Sequence, residues 1–134
     1  MRLPGGGAAE HTVDAAVSLT DLAPTVLELA GLEPRPGTDT WSLVPYAISS
    51  AAPPRPPRRI FLSTDLWRGT THYYAQGVVD GRYKLIRDLH VSSPQLYDLE
   101  SDPLERTDVA PAAPTVAASL LEAVEAHAAY RAPL

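Results

Sequence analysis

Any chemistry in this chain has to come from oxygen, nitrogen and aromatic side chains, because it contains no cysteine and so no thiolate nucleophile, thiolate metal ligand or disulfide. Such groups are densest in Trp67-Arg68-Gly69-Thr70-Thr71-His72, where an indole, a guanidinium and an imidazole fall close together. In a polar loop Trp67, Arg68 and His72 could line a pocket for an anionic substrate; the competing reading is a solvated loop with one packed tryptophan. Ser63-Thr64-Asp65 ends a strand, a place where α/β enzymes carry catalytic groups, but no motif surrounds it. Asp98, Glu100 and Asp102 alternate as at the start of a calcium loop. Pro103 stands where that loop needs glycine and Val109 where it needs glutamate, so turn and surface roles are expected instead. His11, His72, His90 and His127 include no pair at ligand spacing. Gly5-Gly6-Gly7 leads into no strand-to-helix turn and no Lys-Ser/Thr pair, so it is a flexible lead-in and not a phosphate cradle. No residue is assigned a catalytic or metal-binding role.

The elements that position these groups follow from periodicity and punctuation. Residues 13–17 make a short strand candidate, and residues 21–30 a helix that Ser18 or Thr20 can cap, that tolerates Pro24 in its first turn and that Gly31 stops. Leu22, Val26 and Leu29 form one apolar stripe and Ala23, Leu27 and Ala30 a second. A helix of that kind needs cover on most sides, and little else in the chain can supply it. Residues 33–59 are proline-rich around Trp41-Ser42-Leu43-Val44 and read as an irregular crossing with one apolar anchor, polyproline-like over 53–57. Its expected role is a surface connector, with a proline-rich ligand as the alternative.

From residue 60 the pattern is β, with strands at 60–64, 73–79, 83–87 and 95–99. Asp80-Gly81 signals a two-residue hairpin turn with positive φ at both positions. That register sets Val79 opposite Arg82 and Val78 opposite Tyr83, and puts Tyr74, Val78, Tyr83 and Leu85 on one core-facing side. Residues 114–129 form the last helix, with Val116, Leu120, Val124 and Ala128 at helical spacing, Glu122 and Glu125 toward water, and His127 partly buried at the edge of the stripe. The expected class is α+β: a small antiparallel sheet of about four strands packed by a C-terminal helix, with one helix preceding it.

The 134 residues carry 11 Lys+Arg against 16 Asp+Glu, a formal charge of −5. That length is one domain or a piece of one. The scattered arginines offer no footprint for nucleic acid or an anionic membrane surface, and no apolar stretch approaches the roughly 18 residues of a membrane span. Neither partner is expected. Fourteen prolines and eight glycines imply frequent interruptions and a modest core. The N-terminus lacks a secretory h-region, so either the product stays inside or Met1 is not the original start.

Three motifs then occur in order. Val17-Ser18-Leu19-Thr20-Asp21-Leu22-Ala23-Pro24-Thr25-Val26-Leu27-Glu28-Leu29-Ala30-Gly31 resembles the sulfatase family of the alkaline-phosphatase superfamily, whose chains carry an Asp-Leu-x-Pro-Thr helix ending in Ala-Gly. Gly81-Arg82-Tyr83-Lys84-Leu85-Ile86 resembles its Gly-x-x-Lys hairpin strand, and Leu96-Tyr97-Asp98-Leu99-Glu100-Ser101-Asp102-Pro103-Leu104-Glu105 its Leu-Tyr-Asp-Leu-x-x-Asp-Pro-x-Glu signature. Arg2-Leu3-Pro4-Gly5 resembles the end of the strand before this region. In two places the chain differs: Asp39-Thr40-Trp41 stands for the family's Asp-Gly before Ser-Leu, and Asp108 for its asparagine.

The resemblance implies a C-terminal piece of an alkaline-phosphatase-like α/β fold. Residues 1–32 would be the tail of the catalytic domain, 33–59 the crossing, and 60–134 the antiparallel-sheet subdomain. The first helix would pack on the catalytic sheet, which would account for its uncovered stripes. The family uses a formylglycine made from a Cys/Ser-x-Pro-x-Arg motif and a divalent metal, usually calcium. Both lie upstream of the region matched, so the chain alone is expected to be inactive and to hold no cofactor. Its implied partners are the upstream catalytic domain and, for the parent, a small-molecule sulfate ester; the parent family is often periplasmic or secreted. Two alternatives stay open: a phosphoester or phosphonate hydrolase of the same superfamily, and a free-standing interaction module. The Leu-Tyr-Asp-Leu signature favours the sulfatase branch.

Overall fold

In the computed structural model, which describes residues 15–34, 39–48, 57–88 and 90–131, the first helical element starts where Ser18 and Asp21 cap each other. Asp21 Oδ2 accepts the Ser18 amide at 2.9 Å, and Ser18 Oγ accepts the Thr20 amide at 3.3 Å, so amides left over at a helix start find acceptors. One 3-10 turn, Leu19–Asp21, leads into helix α1, Leu22–Leu29. The helix ends as Gly31 requires. At φ 73° its amide bonds Glu28 O at 3.0 Å, while Leu32 N reaches back to Leu27 O at 2.9 Å.

The expected helix over 21–30 is therefore present with a tighter first turn. Of the expected strand at 13–17, residues 13 and 14 lie outside the described residues and 15–17 form no strand. The irregular crossing contains a short helix the sequence did not announce, α2, Val44–Ile48. Ser42 Oγ accepts the Val44 amide at 3.1 Å, and Pro45 sits in the first turn, where no amide donor is needed. The polyproline reading falls on residues that, apart from Pro57, lie outside the described ones.

Asp21 and Thr25, one helical turn apart, are buried polar residues. Their acceptors hold the chain that follows: Asp21 Oδ1 takes the Trp41 amide at 3.0 Å and Thr25 Oγ1 takes the Leu43 amide at 2.8 Å. Burying such groups is tolerable because they are bonded. The Asp-Leu-x-Pro-Thr motif is thus a clasp between α1 and residues 41–43. The stripe of α1 that flanks them, Leu22, Val26 and Leu29, is exposed.

The chain forms two compact units, Met1–Pro56 and Pro57–Leu134. In the second, β1 (Ile60–Arg68), β2 (Thr71–Asp80), β3 (Tyr83–Asp88) and β4 (Gln95–Asp98) pair in sequence order as an antiparallel sheet. Helix α3, Pro114–Arg131, packs on the side bearing Val78, Leu85 and Leu96, which are wholly buried with Leu120 and Val124 against them. At the end of this face the His127 ring stacks on Phe61 with centroids 3.9 Å apart.

The β2–β3 register corrects the expected one. Val78 lies opposite Leu85 and Asp80 opposite Tyr83, so the turn residues are Gly81-Arg82 and not Asp80-Gly81. Only Gly81 has positive φ, 56°, which is the pattern of a turn with glycine at its first central position. The predicted core face survives this error, because side chains alternate with period two and the pairing is displaced by two residues.

After β4 the chain is held by carboxylates bonded to backbone amides. Asp98 Oδ1 accepts Glu100 N at 3.2 Å and Arg82 Nε at 2.9 Å. Asp102 Oδ2 takes the Arg106 and Thr107 amides at 2.7 and 2.8 Å. Asp108 Oδ1 takes those of Leu96 and Ala110 at 3.0 and 2.9 Å, a role that needs only the oxygen an asparagine shares. Glu105, at φ 54°, is pinned by Lys84 Nζ at 2.7 Å from each carboxylate oxygen. The turn role expected for the Asp98, Glu100, Asp102 series is what these bonds describe.

Candidate functional site

The polar stretch around Trp67 and His72 is not a loop. Strand β1 runs on to Arg68 and β2 begins at Thr71, so the stretch is the tip of a hairpin turned by Gly69-Thr70 alone. Gly69 has φ 63°, repeating the glycine-first turn at Gly81. Ser63-Thr64-Asp65, expected to end a strand, lies inside β1. The signal for the longer strands was Gly-Thr between residues rich in aromatic and β-branched types, read here as loop because both flanks are polar.

Pairing of Trp67 with His72 makes them direct cross-strand neighbours, and their rings stack with centroids 4.5 Å apart and 11° between planes. Asp65, two residues before Trp67, shares this face, and its Oδ1 lies 2.7 Å from His72 Nε2. The carboxylate is the acceptor, so Nε2 carries the hydrogen. Tyr74 is on the same face, its ring 6.2 Å from His72. Ser63 and Gln76, paired with each other, continue the face toward the core.

The third expected residue is placed elsewhere. Arg68 follows Trp67 directly, and strand alternation sends it to the opposite face, with Leu62, Leu66 and Tyr73. The geometry joins Trp67 and His72 and separates Arg68 from them.

His90 joins the cluster without any sequence signal. Its Nε2 donates to the backbone oxygen of His72 at 2.5 Å, its ring meets Tyr73 edge-on at 6.1 Å, and its amide bonds Asp88 Oδ1 at 2.8 Å. A contact across 18 positions of chain is decided by pairing of β2 with β3, which sequence spacing does not reveal. The group is surface-exposed, with Trp67 65% accessible. It can offer one aromatic face, one carboxylate oxygen and imidazole edges to a ligand.

A second charged pair lies at the other hairpin. Arg82 bonds Asp98 through both Nε and Nη2, and Glu100 approaches Arg82 Nη1 at 3.3 Å. The Arg82 hydrogen bond holds the Asp98 carboxyl well below the usual carboxylate range, and Asp98 in turn raises the guanidinium above its own. Burial, with Asp108, Glu105 and Asp102 nearby, pushes the Tyr97 hydroxyl up. Among the described residues no three His, Asp or Glu side chains converge so as to hold a metal ion. The metal and formylglycine implied by the resemblance therefore fit no residue described, and no step is derived through either.

No protein-family model matches the chain. Arylsulfatase K of Gallus gallus is 32% identical over 130 aligned residues, which cover 83% of this chain and 22% of that protein. A solved 2-O GAG sulfatase matches the fold with a TM-score of 0.65, at 24% identity over 80% of this chain and 23% of its own. Over most of its length the chain is similar to sulfatases. It corresponds to a C-terminal piece of such a hydrolase, with the alkaline-phosphatase-like fold, and spans about a fifth of the length of the relatives it matches. A sulfatase structure from Bacteroides thetaiotaomicron, described as putative in function, agrees with TM-score 0.66 at 24% identity, over 80% of this chain and 23% of its own. No helix among the described residues is long and apolar enough to cross a membrane.

Proposed function

We propose that the whole protein is a sulfuric ester hydrolase, and that this segment holds its fold and borders the substrate cleft without supplying the nucleophile or a metal ligand. Likeness to Arylsulfatase K, together with the intact Leu-Tyr-Asp-Leu signature, supports the sulfate ester over the phosphoester. Residues 1–32 would complete the catalytic domain, whose surface would cover the exposed Leu22, Val26 and Leu29. The bordering role is carried by one observation: an exposed aromatic and imidazole pair, Trp67 and His72, is presented at the end of a hairpin. Arg68 would meet an anionic part of the substrate from the other face.

Contacts remote from the scissile bond are equally strong in ground and transition states, so losing them raises KM and spares kcat. In the full-length parent, Arg68→Ala and His72→Ala should each raise KM several-fold with kcat within about twofold. A fall in kcat at constant KM would move the tip to the chemistry. Unchanged kinetics in both variants would return it to plain surface. The chain alone should not hydrolyse an aryl sulfate in the presence of calcium.

A further inference from the structure

The two faces of the β1–β2 tip differ in kind. Leu62, Leu66 and Tyr73 on one side are apolar and exposed, and Arg68 shares that side. On the other side Ser63, Asp65, Trp67, His72, Tyr74 and Gln76 alternate polar and aromatic groups. The Trp67 indole is fixed from one side by the His72 stack, and 65% of the residue is accessible. Asp65 is bonded through Oδ1 and has a side chain 66% exposed, so it retains acceptor capacity toward solvent.

We propose that this second face is a subsite for an uncharged sugar ring. The C–H face of a pyranose would lie on the indole, and its hydroxyls would donate to Asp65. Charge selects this occupant over an anion. Asp65 sits beside the platform, while the Arg68 guanidinium is on the far face, so sulfate or carboxylate groups are disfavoured here and hydroxyl donors favoured. Preorganisation favours it too, since the stack on His72 holds the indole before binding. The proposal rests on the reading of the parent as a sulfatase and adds that its substrate carries an unsulfated sugar ring.

The test uses the full chain and the emission of its two tryptophans, Trp41 and Trp67. Titration with the neutral disaccharide of N-acetylglucosamine should give a saturable change, and inorganic sulfate none. Trp67→Ala should abolish the change, Asp65→Ala should weaken binding about tenfold, and Leu66→Gln should leave it intact. Circular dichroism of each variant separates loss of binding from loss of fold. No saturable change, an equal response to inorganic sulfate, or an equal response in Trp67→Ala overturns the subsite. So does protection of Trp67 from acrylamide quenching in the full-length parent, because the face would then be packed against protein. Turnover of a sugar-free aryl sulfate by that parent tests the sulfatase reading separately and does not depend on Trp67.

Discussion

At the β3–β4 end of the sheet Asp98, Asp102 and Asp108 accept backbone amides, whereas at the β1–β2 tip Asp65 is bonded to the side chain of His72. The first group closes turns around a core in which Leu85 and Leu96 are fully buried; the second stands in water. A carboxylate spent on main-chain donors is part of the fold, because removing it orphans amides that have nowhere else to turn. A carboxylate that meets only another exposed side chain can change partners at little cost. The same residue types are therefore structural at one end of the sheet and available to a ligand at the other.

Truncation at the core end should break the contrast most visibly. Leu96→Ala leaves a cavity under α3 and should cost about 2–5 kcal/mol, read as a lower denaturation midpoint at unchanged slope. Acid should act next, through Asp98. Its pKa is lower folded than unfolded, so below its ordinary value of 3.8 the unfolded chain binds the proton first. The stabilisation is complete above about pH 5 and is lost as the pH falls from there. Melting temperature should decline over that range in the parent chain and more shallowly in Arg82→Met. At the tip Trp67→Ala should change stability by no more than about 0.5 kcal/mol. A melting loss at Trp67 as large as that at Leu96 would erase the distinction between the two ends.

Local chemistry made much of this legible in the sequence. Helix α1 was readable from Ser18, Pro24 and Gly31, α3 from its apolar spacing, and the core face of the hairpin from period-two alternation. Each depends on neighbours within a few residues. The extension of β1 and β2 through Trp67 and His72 was missed because polar, solvent-facing strand ends carry no hydrophobic period. Glycine at the first position of both turns was equally compatible with a loop until the strands were paired.

By itself the sequence determined helices α1 and α3, the presence of four strands after residue 60, the family motifs and the two-sided apolar character of α1, since these follow from residue order and periodicity. Only the tertiary structure decided which distant groups meet: Asp21 with Trp41, Asp108 with Leu96, and His90 with His72. It also decided that Trp67 and His72 share a face while Arg68 does not. Register is the physical reason, because pairing a strand displaces every side chain to a definite neighbour and a definite face, and register is set by turns and core packing together.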